Sequence, residues 1–323
     1  STYIPKRELQ RINEHLNGSF QGVGIEFIMV RDTVVVVMPL PDGPADKAGI
    51  QPGDKIVSIN DTTPMMPNLK TEEFLHLLRG HIGSEVELGV LREGENRIRY
   101  FTVTRDEIPI RSLEVAMMLD NKVGYLRLNR FSGKTYQESM QALETLVKEG
   151  MEHLVLDLRG NPGGYLQEAT KLLNQLFPEK GKLLVYTEGE NVRRSDYKTT
   201  GKAFYRIEEV AVLIDEESAS ASEIVAGAIQ DWDRGVIVGR RSFGKGLVQE
   251  QYKLSDGSAL RLTVARYYTP SGRSIQKPYT EILAKGYTSP WSLIDREEMV
   301  GESEATTEFD TLEYYTVSGR KVY

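Results

Sequence analysis

Residues 210–239 read VAVLIDEESASASEIVAGAIQDWDRGVIVG and carry the clearest structural signal in the chain. Two short apolar segments, Val210 to Ile214 and Val236 to Gly239, have the length and composition of buried strands. The apolar segment between them, Ser222 to Trp232, is long enough for a helix. A strand, a helix and a second strand in this order are typical of a parallel strand pair with a helical crossover.

The same alternation extends back to about residue 112. The predicted strands are Val123 to Leu128 and His153 to Leu158, and the predicted helices are Tyr136 to Glu149 and Leu166 to Phe177. Lys245 to Tyr268 reads as a β-hairpin around the turn 255–258. The pattern predicts a largely parallel sheet covered by helices, which is an α/β fold.

The amino-terminal third has a different pattern. Residues 5–16 predict a short amphipathic helix, and residues 22–105 predict short strands with one helix. The predicted strands are Gly24 to Val30, Val34 to Met38, Lys55 to Ile59, Glu85 to Leu91 and Arg97 to Thr104, and the helix is Thr71 to Gly80. The predicted domains are a helical segment (1–20), a small β-rich α+β domain (21–106), an α/β core (107–280) and a C-terminal excursion with a truncated returning strand (281–323).

Composition limits the function classes. The 323 residues include 40% hydrophobic and 27% charged residues with a net charge of -7, which is typical of a soluble globular protein. Charges are interspersed, so no nucleic-acid partner is expected. The chain has no cysteine, and no apolar run approaches the roughly 18 residues that span a membrane. It begins without Met or a signal-peptide pattern, which indicates a trimmed start. The four histidines are scattered, so we expect no metal site, and no cofactor is predicted.

A serine and a lysine are the main candidates for chemistry. Ser220 precedes the apolar helix, and Lys245 lies between two glycines 25 residues later. A lysine can take a proton from a serine hydroxyl only if burial favours its neutral amine. Ser220 stands three residues before Glu223, so it can equally be a helix cap in a capping box. Ser218 and Ser222 compete for the nucleophile role.

Lys245 has an ordinary alternative as a solvated surface lysine. Against that, glycines flank it, and Phe243 and Leu247 nearby are apolar. Gln249 falls on the same face of the predicted strand and could hold the amine by a hydrogen bond. Residues 239–245 also match part of a phosphate-binding loop, but Gly246 follows where Ser or Thr is needed, and a strand is predicted where that loop has a helix. A nucleotide-dependent enzyme is therefore nearly excluded.

A glycine-rich turn follows a predicted buried strand at residues 156–164 (LDLRGNPGG). Glycines at the carboxyl end of a parallel strand let backbone amides point into the crevice where such folds bind ligands. An ordinary strand-to-helix turn is the alternative. If Ser220 is a nucleophile, this turn is the expected half of an oxyanion hole.

Two further motifs lie near the amino terminus. Residues 22–27 (GVGIEF) form a glycine loop entering a strand, and residues 44–56 (PADKAGIQPGDKI) contain a small helix and a tight turn. With these motifs, residues 22–104 resemble a PDZ domain. With the serine, lysine and glycine-turn motifs, residues 112–276 resemble the peptidase core of the carboxyl-terminal processing (tail-specific) serine proteases.

The resemblance implies a role for each matched residue. Ser220 falls at the nucleophile, Lys245 at the general base and Gln249 at the lysine-orienting position. The amides of Ala221 and of Gly163 or Gly164 fall at the oxyanion hole. The resemblance also implies a fold like that of crotonase and the Clp protease subunits, and an extracytoplasmic location in the periplasm or cell envelope. Family members usually have a Gly-rich strand with Pro-Asp after a segment like 267–273, and this chain instead repeats the segment at 314–320.

The expected substrates are proteins or peptides with free C-termini. An extended tail would add as a strand beside Gly24 to Met29, with its carboxylate on the glycine loop and its last side chain in an apolar pocket. The expected contact residues are Gly22, Val23, Gly24, Ile25, Phe27, Leu75 and Leu78. The expected function is a serine endopeptidase that cleaves near such tails, with the PDZ domain as a gate. The alternative is an inactive PDZ scaffold that binds C-termini, and a homo-oligomer stays open.

Overall fold

The computed structural model describes residues 2–31, 33–60, 71–277, 314–315 and 321–322. The predicted surface excursion at 280–310 lies outside these residues. The strands are β1 (Thr2–Ile4), β2 (Ser19–Gly22), β3 (Ile25–Val30), β4 (Thr33–Pro39), β5 (Lys55–Ile59), β6 (Glu85–Leu91), β7 (Ile98–Thr104), β8 (Asp106–Pro109), β9 (Leu113–Met118), β10 (Val123–Leu128), β11 (His153–Asp157), β12 (Lys180–Glu188), β13 (Ser195–Thr200), β14 (Val210–Ile214), β15 (Val236–Gly239), β16 (Leu247–Lys253), β17 (Ala259–Tyr268), β18 (Tyr314–Tyr315) and β19 (Lys321–Val322). The helices are α1 (Lys6–Asn17), α2 (Pro44–Ala48), α3 (Thr71–Leu78), α4 (Thr135–Lys148), α5 (Leu166–Leu176) and α6 (Ala221–Asp231).

The chain divides into two units. One combines Ser1–Gly18 with Arg111–Tyr323, and the other is Ser19–Ile110. The first helix thus belongs with the α/β unit, whereas the sequence assigns residues 1–20 to a segment of their own. The four-way domain division stays a prediction.

The larger unit contains a five-stranded sheet in the order β15-β14-β11-β10-β9. Neighbouring strands from β15 to β10 pair in parallel, and only β9 runs antiparallel to its neighbour β10. Helices α4, α5 and α6 supply much of the apolar core, with Leu143, Leu173 and Val225 all fully buried. Almost every residue of α6 is buried, including the polar Ser222, Glu223 and Asp231. The predicted parallel α/β fold is confirmed.

A second sheet in the same unit carries the lysine region. Its strands run in the order β1-β17-β12-β13, and β16 pairs with β17. The predicted hairpin is β16 and β17, joined through residues 254–258. Strand β16 begins two residues after Lys245, so the helix that a phosphate-binding loop requires is absent at that position.

The smaller unit is built on an antiparallel sheet in the order β3-β4-β5-β6-β7. Helix α3 buries Phe74 completely and Leu78 almost completely among the sheet residues. Strands β2 and β8 pair as a separate two-stranded ribbon where the chain enters and leaves the unit. These elements agree with the predicted small β-rich domain.

Candidate active site

Ser220 lies at a sharp turn between β14 and α6. Its backbone has φ 54° and ψ -110°, a conformation that non-glycine residues rarely adopt. Such strain costs about 1–3 kcal/mol and persists only where surrounding contacts enforce it. Helix α6 begins at Ala221 rather than at Ser222 as predicted, so Ser220 is its N-cap, and Glu223 completes a capping box. Ser220 is therefore both a cap and a partly buried residue held in a strained turn.

The structure separates the three candidate serines. The Ser218 hydroxyl donates to the Leu158 carbonyl at 2.8 Å, and the Ser222 hydroxyl donates to the Asn161 carbonyl at 2.9 Å. Both serines are fully buried. Within the described residues, the Ser220 hydroxyl donates no hydrogen bond. Of the three, Ser220 has the hydroxyl proton that is available for transfer.

Glu223 connects the serine turn to the lysine loop. Its Oε2 accepts the backbone N–H of Ser220 at 2.8 Å and that of Lys245 at 2.9 Å. Its Oε1 accepts the Ser242 hydroxyl at 2.7 Å and the Gly244 N–H at 2.6 Å. The distance between the backbone nitrogens of Ser220 and Lys245 therefore cannot exceed the combined length of these two N···O contacts. The sequence predicts only a capping role for Glu223. No local pattern indicates the three further donors, which come from Ser242, Gly244 and Lys245.

The Lys245 side chain is partly buried, and within the described part of the chain its amine forms no ion pair or hydrogen bond. Burial lowers the pKa of Lys245, and the nearby Arg261 guanidinium lowers it further. The Glu223 carboxylate acts in the opposite direction and raises this pKa. The net lowering increases the fraction of neutral amine, which is the form that can accept a proton.

Gln249 lies in β16, where it pairs with Thr263 of β17. Its side-chain amide forms no hydrogen bond within the described residues. The role expected for Gln249, orienting Lys245, therefore stays a prediction.

The glycine turn packs directly against the serine. A Cβ atom built on Gly163 would lie 2.8 Å from the Ser220 Cβ and 2.8 Å from the Ala221 nitrogen, and φ at Gly163 is +93°. Asn161, fully buried, holds the two segments together, because its carbonyl accepts the Ala219 N–H at 3.0 Å as well as the Ser222 hydroxyl. No bulkier residue would fit at Gly163 without separating these segments.

The two candidate glycine amides differ in this structure. The Gly163 N–H donates to Asn161 Oδ1 at 2.9 Å. Within the described residues, the N–H groups of Gly164 and Ala221 have no acceptor. The contacts therefore favour Gly164 over Gly163 as the partner of Ala221 in an oxyanion hole, and the assignment itself stays a prediction.

A buried charge network fixes the start of the glycine turn. Asp157, at the end of β11, is fully buried and accepts the Tyr125 hydroxyl at 2.5 Å and the Arg159 guanidinium at 2.6 Å. Burial raises the pKa of Asp157, but the bonds from Arg159 and Tyr125 outweigh that effect and leave the pKa lowered. The ionised carboxylate thus anchors the chain where the turn leaves the sheet. Sequence reasoning missed this network, because its members are close only in the folded sheet.

The predicted tail-binding residues of the smaller unit lie in β2, in the loop after it, in β3 and in α3. Val23 and Gly24 form the loop between β2 and β3, and their N–H groups have no acceptor within the described residues. The ring of Phe27 meets that of Phe74 edge-on at 4.8 Å. Leu78 is only 4% exposed and belongs to the core, whereas Leu75 is partly buried. Of the Phe27, Leu75 and Leu78 side chains, those of Phe27 and Leu75 remain partly exposed.

One group of possible metal ligands occurs in the described residues. Ligand atoms of Glu152, His153 and Glu208 lie within 4.8 Å of one another. Glu152 is paired with Lys122 at 2.8 Å. This group lies at the amino ends of β11 and β14, whereas the serine and glycine turns follow the carboxyl ends of the same strands. It has no part in the candidate active site.

Comparisons with known proteins match both units. Residues 122–282 match the model of peptidase family S41, and residues 35–92 match that of the PDZ domain. Carboxy-terminal processing protease CtpB of Bacillus subtilis is 34% identical over 280 residues, which cover 86% of this chain and 57% of that protein. The carboxyl-terminal-processing protease of Synechocystis is 36% identical over 267 residues, covering 80% of this chain and 61% of the relative.

The chain belongs to peptidase family S41. The predicted family, that of the carboxy-terminal processing serine proteases with a PDZ domain, is confirmed. The solved photosystem II D1 C-terminal processing protease is 34% identical, with a TM-score of 0.49, over 85% of this chain and 74% of its own. A Bacteroides fragilis structure classed as an S41 protease shares the fold at 20% identity, with a TM-score of 0.50, over 83% of this chain and 79% of its own.

This S41 peptidase spans less than two thirds of the length of the curated relatives it matches. In the part of the chain that the structure describes, no helix combines the length and apolarity needed to cross a membrane.

Proposed function

We propose that this S41 peptidase is a serine endopeptidase in which Ser220 is the nucleophile and Lys245 the general base. One observation carries the proposal: the backbone N–H groups of Ser220 and Lys245 donate to the same carboxylate oxygen of Glu223. A rigid link of this kind keeps a strained serine close to a lysine whose pKa burial has lowered. Serine activation by an amine requires a neutral amine near the hydroxyl, and this link supports such an arrangement.

The reaction would follow from these positions. The neutral Lys245 amine takes the proton from Ser220 Oγ as that oxygen attacks a peptide carbonyl carbon. The carbonyl oxygen gains negative charge and accepts hydrogen bonds from the amides of Ala221 and Gly164, each such donor being worth about 3 kcal/mol. Lys245 then returns the proton to the leaving amine, and water releases the acyl group from Ser220. Gln249 would orient the Lys245 amine.

We further propose that the PDZ unit binds the free carboxyl terminus of the substrate and gates cleavage. The N–H groups of Val23 and Gly24 can donate hydrogen bonds to the terminal carboxylate, and β3 offers a strand beside which an extended tail can pair. The surface formed by Phe27 and Leu75 suits an apolar last side chain. The substrates are thus expected to be proteins or peptides with apolar free tails, and the family resemblance implies an extracytoplasmic compartment.

The decisive experiment measures cleavage of an unfolded reporter that ends in a free apolar carboxyl terminus. We expect the native sequence to cleave it and Ser220→Ala to lose all activity while still binding the tail. Cleavage by Ser220→Ala equal to that of the native sequence would exclude Ser220. Tail binding with no cleavage by any variant would favour the inactive PDZ scaffold.

The role of the PDZ unit needs its own comparison. Leu75→Ala should raise KM for the apolar-tailed reporter about tenfold, since it removes a partly buried contact with the last side chain. It should leave kcat at a saturating concentration nearly unchanged. A reporter with an amidated carboxyl terminus serves as the control, because it cannot use the carboxylate site. Equal KM values for the free and amidated reporters would contradict tail recognition.

A further inference from the structure

The Glu223 carboxylate is only 5% exposed, yet within the described residues no cation pairs with it. It is instead surrounded by four neutral donors, two on each oxygen. A helix cap needs only the bond to Ser220. The other three donors come from a loop about twenty residues further along the chain, so the contact set exceeds what α6 requires for its own stability.

We propose that Glu223 is a positioning residue of the peptidase: its ionised carboxylate holds the Ser220 turn and the Lys245 loop at a fixed separation. This inference rests on the proposed roles of Ser220 and Lys245 and adds the residue that sets their geometry. Glu223 acts through its two neighbours and need not touch the substrate.

The chemistry of the carboxylate supports this role. An ionised carboxyl group can accept four hydrogen bonds, whereas a protonated one turns an O–H toward groups that are themselves donors. Burial raises the pKa of Glu223 above its usual value, and the bonds from Ser242, Lys245, Gly244 and Ser220 offset only part of that rise. The four donors thus favour the charged form in a buried position.

The same charge acts on the lysine amine. Glu223 raises the pKa of Lys245, while burial and Arg261 on β17 lower it. The Lys277 side chain also faces this region, because its carbons lie against Gly244. Glu223 therefore influences both the position of Lys245 and the pH at which its amine becomes neutral.

The test uses Glu223→Gln, which keeps the size and removes the charge. A carboxamide has one acceptor oxygen, so in either orientation its NH2 group faces at least one buried N–H donor. We expect kcat to fall about tenfold or more with KM little changed. The acid limb of the pH profile should move to lower pH, because the anion that raises the pKa of Lys245 is gone.

Two variants serve as controls. Glu138→Gln alters another carboxylate of the same unit, whose Oε2 accepts the Ser112 N–H and hydroxyl and the Leu113 N–H. It should lose thermal stability to a similar extent but keep the native kcat and pH profile. Ser242→Ala removes one of the four donors and keeps the charge, so kcat should fall less and the acid limb should not move.

A second readout does not depend on cleavage. The pKa of Lys245 can be measured from its acetylation rate at a series of pH values, followed by mass spectrometry. A lower pKa in Glu223→Gln supports the inference even if no variant cleaves the reporter, an outcome that would contradict the proposed function alone. A native kcat together with a native Lys245 pKa in Glu223→Gln would overturn the inference, as would a kcat loss matched by Glu138→Gln.

Discussion

Two lysines of the α/β unit show how position changes the same side chain. Lys122 precedes β10 at the amino edge of the parallel sheet, is 61% exposed and pairs with Glu152 at 2.8 Å. That bond raises its pKa. Lys245 precedes β16, is partly buried, and has its pKa lowered by burial and by Arg261. One lysine is fixed in its charged form, and the other is shifted toward the neutral amine.

Burial is the main cause of the lowered pKa at Lys245, and the bonding of the nearby acid also differs between the two sites. At Lys122 the carboxylate bonds to the lysine amine. At Lys245 the nearby Glu223 carboxylate accepts hydrogen bonds from three backbone N–H groups and a serine hydroxyl. One of these N–H groups belongs to Lys245 itself. The backbone N–H of Lys245 thus bonds to the Glu223 carboxylate, whereas its side-chain amine does not. The Lys245 amine therefore has no ion pair within the described residues, which suits the role of base that we propose for it.

The largest expected effect comes from replacing Lys245 with arginine, and the same replacement at Lys122 is the control. Lys245→Arg should lower kcat about 1,000-fold or more at every pH, because a guanidinium stays protonated and cannot accept the serine proton. Lys122→Arg keeps its ion pair and should cleave at the native rate. The measurement is a pH–rate profile of reporter cleavage for both variants. Residual activity of Lys245→Ala with a histidine-like acid limb would show that another group is the base.

A smaller effect is expected from crowding the serine side of the site. Gly163→Ala would bring a Cβ to 2.6 Å from the Ala219 carbonyl oxygen and displace the Ser220 turn from the lysine loop. We expect kcat to fall about 100-fold, with about 2–4 kcal/mol lost in the free energy of unfolding.

Gly160→Ala in the same turn is the matched control. Its φ is also positive, at +72°, but its added Cβ would lie 3.5 Å from the nearest atom, the flexible tip of Glu217. It should cost about 1 kcal/mol of stability and little activity. Kinetics and chemical denaturation of the two variants separate crowding from backbone strain, and equal kcat losses would contradict the packing argument.

The smallest expected effect is on stability. The folded pKa of Lys245 is lowered, so the unfolded chain binds the proton more tightly, and stability attributable to this group rises as pH increases toward about 10.4, its value in the unfolded chain. Below the lowered pKa the buried charge destabilises the fold. Lys245→Met should therefore raise Tm by about 1–3 °C at neutral pH while abolishing cleavage.

Lys122→Met tests the opposite sign. Its folded pKa is raised, so it contributes stability at neutral pH that is lost only as pH rises through that pKa. Thermal unfolding of Lys122→Met should show a Tm equal to or slightly below the native value. A higher Tm in Lys122→Met than in Lys245→Met would reverse the comparison.

The sequence predicts well the strands that have a clear local pattern. The strands Val123–Leu128 and Val210–Ile214 have the predicted limits, because each is a short apolar run between clear turn residues. Strands β12 and β13 were missed. The first, KGKLLVYTE, has a short apolar run between polar ends, and the second, SDYKTT, is mostly polar; β12 pairs with both β13 and β17. The pairing of β12 with β17 joins segments about eighty residues apart, which a local pattern does not specify.

The candidate site divides in the same way. Ser220 and the glycine turn could be proposed because each follows a predicted strand. The network roles of Asn161, Asp157 and Glu223 could not, since each depends on segments that meet only after folding. The availability of Gly164 rather than Gly163 also depends on a single side-chain bond, from Gly163 to Asn161, that spacing does not specify.

Strands β2 and β8 pair from Ser19 with Pro109 to Gly22 with Asp106, so the chain enters and leaves the smaller unit side by side. Because the two ends of the smaller unit lie side by side, its insertion separates no neighbouring segments of the larger unit. The entropy cost to the larger unit is therefore small. The smaller unit can thus be exchanged without separating its two attachment points in the larger unit. A lineage could lengthen or replace it between residues 18 and 111, so that the tail preference and the cleavage chemistry that we propose can evolve separately.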